Sequence, residues 1–144
     1  MYGDSEAIRR LARTMRGEGA ALRAEADTLL ARAETVAWSG LAADAMRARV
    51  RAQVDALRRT AGLSDGAAEA LDRHAVEVDR RKALIAAIEH QAMALVAAAK
   101  DRLSELGGLV GGILPDPLDE LLARFDPPPS GHRDWLLVDL PGLS

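Results

Sequence analysis

The chain has no cysteine in 144 residues, which rules out disulfides, thiolate metal sites and cysteine nucleophiles. Aromatic residues are almost as scarce, at 3%. A core must therefore come from small and branched aliphatic side chains on closely approaching helices, the composition of a helical bundle. Neither sign of charge dominates: 19 Lys and Arg face 22 Asp and Glu, a formal net charge of -3. Such a balance offers no field to gather phosphates, so nucleic acid is not an expected partner. Long apolar runs are also missing. No segment reaches the roughly 20 residues needed to cross a bilayer, and the opening MYGDSEAIRR is charged where a secretory signal needs its apolar stretch. If the protein leaves the cell, the expected route is one that does not use an ordinary signal peptide.

What the chain does have is a 49% apolar fraction arranged at helical spacing. One domain with a tail is the expected organisation at this length. Asp4 or Ser5 caps a first helix, with Glu6 at the positive end of its dipole. Its stripe runs through Ile8, Leu11, Met15, Gly19, Leu22, Ala26, Leu29, Ala33 and Val36 in steps of three and four, the mark of one buried face. Gly17 and Gly19 each weaken a helix by about 1 kcal/mol relative to Ala, which predicts a soft spot or a close helix contact.

A second stripe starts at Met46 and continues through Val50, Val54, Leu57, Ala61, Ala68, Leu71, Ala75 and Val78. It is extended by Ile85, Ile88, Ala92, Leu95, Ala99, Leu103 and Leu106, with Lys82 as its one charged position. The stretch GLSDG, residues 62–66, predicts a kink, because Ser and Asp compete for backbone bonds between two glycines. Gly107-Gly108 should end the helix in a left-handed cap. Asp116-Pro117 reads as an N-cap with proline at the first helical position, opening a short helix with Leu118, Leu121, Leu122 and Phe125 on one face. The run Pro127-Pro128-Pro129-Ser130-Gly131 is too rich in proline and glycine to be helical. After it, Trp135, Leu136, Leu137, Val138 and Leu140 are too apolar to be left in water, so the tail docks on this bundle or on a partner.

The two stripes differ in length. The first corresponds to about 33 residues and near 50 Å, the second to about 66 residues and near 100 Å. The half beyond Val78 therefore lacks a counterpart in helix one. Each Leu or Ile contributes about 1.5–3 kcal/mol when fully buried, so something must cover it. A partner chain is the expected cover, with Ile85, Ile88, Leu95, Leu103, Leu106 and Trp135 as the expected interface; coverage by the short helix and tail is the competing possibility.

Trp38-Ser39-Gly40 lies between the two helices. The tryptophan can plug the end of the bundle, its principal expected role, or present itself to a partner, while Gly40 can adopt backbone angles costly for other residues. A Trp-x-Gly tripeptide between amphipathic helices over about residues 4 to 80 resembles the WxG-motif helical-hairpin proteins of type VII (ESX) secretion systems. Met46 stands where that family often has phenylalanine. Gly3-Asp4 and Leu71-Asp72-Arg73-His74-Ala75 are similar to its longer actinobacterial relatives, found as N-terminal targeting regions. The family's export signature, a tyrosine followed four residues later by an acidic residue after the hairpin, is not in place: the only tyrosine is Tyr2, before Glu6 and at the opposite end. The resemblance implies a hairpin that binds protein, as a secreted substrate or as the pairing partner or chaperone of a larger secreted effector. It implies a cytoplasmic location before export and a secreted or cell-surface one afterwards, and a homodimer or a heterodimer with another helical secretion protein.

Catalytic chemistry is not expected. His74 with Glu77, and Glu89 with His90, are the nearest approach to a metal or general-base cluster, but no second histidine stands at the fourth position to share a helix face. There is no GxSxG elbow, and Gly107-Gly108 and Gly111-Gly112 lack the lysine and following helix of a phosphate loop. Ser64, His74 and Asp79 do not constitute a triad. Arg47, Arg49, Arg51, Arg58 and Arg59 are interspersed with Asp44 and Asp55, as on a solvated face. The stretch from Leu84 to Ala99 could lie in a bilayer interface if unpaired, which makes membrane activity the alternative function. The expected architecture is all-α: residues 1–106 a helical hairpin with an extended second helix, 107–126 a connector and short helix, and 127–144 a linker and apolar tail, with no catalytic, cofactor or metal residues.

Overall fold

A computed structural model describes residues 3–108 and 112–143; Tyr2 and residues 109–111 of the connector lie outside that range. Helix α1 spans Ser5–Thr35, α2 Leu41–Gly107 and α3 Pro117–Ala123, followed by a 3-10 helix over Arg133–Leu137. The described residues contain no strand. At 31 and 67 residues, α1 and α2 have close to the expected lengths. Asp4 is the α1 cap, its carboxylate accepting the Glu6 and Ala7 N–H groups at 3.0 Å each.

The chain divides into two compact units, Asp4–Glu77 and a second built on Val78–Ser144. The division falls inside α2, so the units do not follow the expected segments 1–106, 107–126 and 127–144.

In the first unit, α1 packs against the N-terminal half of α2. The buried residues of α1 are Ser5, Ala12, Gly19, Ala26 and Ala33, seven residues apart throughout; on α2, Val54, Ala61, Ala68 and Ala75 keep the same interval. A seven-residue repeat keeps one seam facing a partner helix along its whole length. Small side chains at that seam let the backbones approach closely. At Gly19 an added Cβ would lie 3.2 Å from the Ala61 carbonyl oxygen and 2.8 Å from the Asp65 carboxylate. The larger members of the expected stripe, Ile8, Met15, Leu22 and Leu29, are displaced to the flank and only half-buried, while Leu11 is exposed. Gly19 thus marks a close contact, whereas Gly17 has open space around it.

Ion pairs line one edge of the seam. Arg16 binds Asp72 and Arg23 binds Asp65, stepping seven residues in opposite senses along the two helices, and Arg58 binds Asp27 at 3.0 Å. Exposed pairs of this kind contribute about 0.2–1 kcal/mol each, enough to select a register but not to supply the stability. At residues 62–66 α2 continues without a break. Asp65, instead of capping a new helix, is held by Arg23, and the turn is stabilised by α1 alongside it.

In the second unit the C-terminal segment covers α2. Ile85, Ala92 and Ala99 form a buried cluster with Leu122, Trp135 and Leu140, and Ile88, Leu95 and Phe125 pack against it. Trp135 is 1% exposed; its indole N–H donates to the Pro129 carbonyl at 3.1 Å, and its ring lies 6.2 Å from that of Phe125. The proline run is non-helical as expected, but it belongs to the packed unit: the Gly131 N–H donates to Glu89 at 3.0 Å, a turn that needs the glycine because its φ is +70°.

Two local expectations are corrected. Neither Gly107 nor Gly108 has positive φ; α2 ends with the Gly108 N–H bonded to the Glu105 carbonyl at 3.2 Å, a tightened last turn that satisfies the terminal carbonyl without a left-handed residue. In α3, Asp116 caps as expected, accepting the Leu118 N–H at 2.9 Å, but Leu118 and Leu121 are exposed and Asp119 and Leu122 are buried. The face is rotated because Asp119 receives Arg102 in a two-pronged contact, Nε to Oδ2 at 2.9 Å and Nη2 to Oδ1 at 2.7 Å.

That hydrogen bond to Arg102 holds the Asp119 carboxyl below the ordinary aspartate range, against the opposing effect of desolvation. The pair therefore contributes its full stabilisation above the unfolded aspartate value of about 3.9 and loses it as pH falls through the lower folded value. An NMR titration of the Asp119 carboxyl carbon should show a midpoint below the ordinary aspartate value of about 3.9; in Asp119→Asn, α3 amides should exchange faster at neutral pH, and the acid limb of that exchange should disappear.

Candidate protein-interaction site

Between Gln53 and Leu71 one face of α2 carries no charged residue; the same helical rows hold Arg49 before it and Glu77 after it. Gln53, Ala56, Thr60, Leu63, Ala67 and Ala70 recur at steps of three and four beside the seam residues Leu57, Ser64 and Leu71. Leu63 is 75% exposed and Leu57 half-buried. The opposite side carries Arg51, Asp55, Arg58, Arg59, Asp65 and Glu69. Two helices can cover only part of such a broad apolar arc, because α1 occupies the strip where side chains are small. Shallow grooves mark what is left open: one lies among Glu25, Leu29, Gln53, Ala56, Leu57 and Thr60, the other among Leu29, Arg32, Ala33, Val36, Met46 and Val50.

The Trp-x-Gly tripeptide lies at one end of this face, between α1 and α2. Gly40 has φ +109°, a left-handed value strained for residues with a Cβ, and its carbonyl accepts the Asp44 N–H at 3.0 Å, opening α2. Ser39 is exposed. Trp38 is 50% exposed, which corrects its expected role as a plug. The helices approach too closely for an indole to enter between them, and the Arg47 side chain occupies the inside of the reversal, donating to the carbonyls of Val36 and Trp38 at 3.1 and 2.6 Å.

Four of the six residues expected to bind a partner, Ile85, Ile88, Leu95 and Trp135, pack within the chain. Ile85 and Trp135 are fully buried, Ile88 and Leu95 pack against the same cluster, and Leu103 and Leu106 are half-buried. The cover over Ile85 to Ala99 is the C-terminal segment, which takes the place expected of a partner chain there; Leu106 lines an open groove with Leu114. The pairing of Trp135 with Ile85 was not legible from spacing, since it joins positions fifty residues apart through two non-helical turns.

Among the described residues no three His, Asp or Glu side chains lie close enough to hold a metal ion. His74 and His90 are exposed, and the His132 Nδ1 accepts the Asp134 N–H at 3.3 Å, capping the 3-10 helix. Contrary to the reading of the sequence, α2 includes an 18-residue stretch of mean hydropathy 1.3, long and apolar enough to cross a membrane, with 22% of it buried. Compared with protein-family models, with curated proteins and with solved structures, the chain gave no match.

Proposed function

We propose that the Asp4–Glu77 unit is an antiparallel helical hairpin of WxG type turned at Trp38-Ser39-Gly40, and that it serves as a protein-binding module associated with type VII secretion, as a substrate or as the pairing partner of one. The observation that carries this reading is the uncharged, half-exposed face of Leu29, Leu57 and Leu63, which another helical hairpin can cover without burying an unpaired charge. Its edges are charged, with Glu18, Glu25 and Arg32 seven residues apart along α1 and Arg59 on the far flank of α2, all exposed. A second hairpin related by a two-fold axis along the helices brings the Glu18–Glu25 stretch of one edge to the Arg59 side of the other hairpin and makes every neighbouring pair antiparallel, the arrangement of an up-and-down four-helix bundle.

The test is Leu29→Glu with Leu57→Glu. Loss of a buried leucine costs about 1.5–3 kcal/mol, so association should weaken by about tenfold or more, read by sedimentation equilibrium of the purified chain and by co-purification with a co-expressed helical partner encoded next to it. A mass and a partner yield unchanged by the double substitution would sink the pairing. Export is tested separately, by the tagged chain's appearance in the culture filtrate of an actinobacterial host and its loss when the secretion ATPase is deleted.

The alternative, a membrane-interface-active protein, draws on the apolar 18-residue stretch of α2. Flotation with liposomes separates the two readings: a pairing module stays in the soluble fraction.

A further inference from the structure

Val36, Trp38 and Leu41 are exposed together at the chain reversal, Leu41 at 91%, and Ser39 and Gly40 add no charge among them. Loops that expose an indole are ordinarily mobile, and a mobile tryptophan loses conformational entropy when it docks. Here the backbone beneath it is tied down. The Arg47 guanidinium reaches back from the second turn of α2 and donates to two carbonyls of the reversal, at 3.1 Å to Val36 and 2.6 Å to Trp38, with Asp44 at 3.5 Å on its other side. Both bonds leave one terminal nitrogen, Nη2, whose two N–H groups are fixed in the guanidinium plane; a lysine ammonium, turning on a flexible stem, holds two such acceptors less firmly. With the guanidinium inside the reversal, the indole is left outside it.

We infer that Arg47 is a positioning residue: it makes the Val36–Leu41 reversal rigid and holds Trp38 outward as a preformed apolar knob for a pocket on a protein partner. The exposed acidic residues Glu34 and Asp44 flank the knob and the nearest arginine is turned inward, an arrangement that disfavours an anionic lipid surface. The use of the knob by a partner rests on the proposed function; the positioning itself does not.

The experiment is backbone and indole 15N relaxation on the isolated full chain, whose two tryptophans give two indole signals, Trp135 identified by its slow exchange. In the parent, order parameters at residues 36–40 should be near the rigid value of about 0.85, and in Arg47→Met they should fall below about 0.6. Arg47→Lys should fall between. The order of α1 and α2 and the melting temperature should stay at parental values, because Val36 and Trp38 carbonyls released at this exposed site are taken up by water. Unchanged order parameters in Arg47→Met would overturn the inference, as would a loss of order spread along both helices, which would make Arg47 a general support of the fold. Because the measurement needs no partner, a failure of the pairing proposal leaves its outcome readable.

Discussion

Trp135→Ala is expected to unfold the second unit and leave the α1–α2 pair standing. Trp135 is the largest fully buried side chain, and truncating a buried tryptophan costs about 3–5 kcal/mol. The cluster it anchors is small, with Ile85, Leu122 and Leu140 as its other large buried members, so a loss of that size exceeds what the remaining contacts supply. The indole's bond to the Pro129 carbonyl and its contact with Phe125 go as well. Hydrogen exchange should show protection lost across residues 113–143 and in α2 from Ile85 to Leu103, with protection kept at Ala12–Ala33 and Val54–Ala75. Ile85 and Leu95, once uncovered, should bind a hydrophobic dye. Loss of protection in both units together would show that they are one cooperative body, contrary to the expectation.

Gly19→Leu is expected to be the most damaging single change in the first unit, and Gly17→Ala, two residues away, to stabilise it. At position 19 the first added carbon already lies 3.2 Å from the Ala61 carbonyl oxygen. The Asp65 carboxylate can swing aside, but the Ala61 backbone moves only if α2 does. Overpacking of this kind costs about 1–3 kcal/mol, and displacing Asp65 loosens its pair with Arg23. At position 17 nothing lies within 4 Å of an added Cβ, so alanine gains about 1 kcal/mol of helix propensity without a clash. Melting curves of the two variants should shift in opposite directions. Equal shifts of the same sign would mean that the helices do not meet at Gly19.

The caps and helix lengths were legible early because they depend on near neighbours. Asp4 before a periodic run and Asp116-Pro117 before Leu118 act within one turn. Gly107-Gly108 correctly marked the end of α2 but not its geometry, because a glycine permits a left-handed cap without requiring one. At Gly62–Gly66 the local preference for a break does not interrupt α2, where Ala61 and Ala68 are buried on the α1 seam and Arg23 reaches Asp65 from the other helix.

The candidate site was less legible. Apolar spacing of three and four placed Ile8, Leu11, Met15 and Leu22 on one stripe with Gly19, Ala26 and Ala33 without telling seam from flank; the strict interval of seven in Ser5, Ala12, Gly19, Ala26 and Ala33 was the signal that could have located the true seam. Trp38 and Trp135 exchange their expected roles for a related reason. The helix pair is too close-set to admit an indole, whereas the second half of α2, covered only by the short α3, a 3-10 helix and the turns around them, leaves room for one. Order along the chain was enough to set the helices, their caps and the excess of apolar surface on α2, since each follows from contacts within a turn or two. Which side chains stay dry, what covers Ile85 and where each tryptophan ends up depended on segments far apart in the chain arriving at the same place, and no local pattern records that meeting.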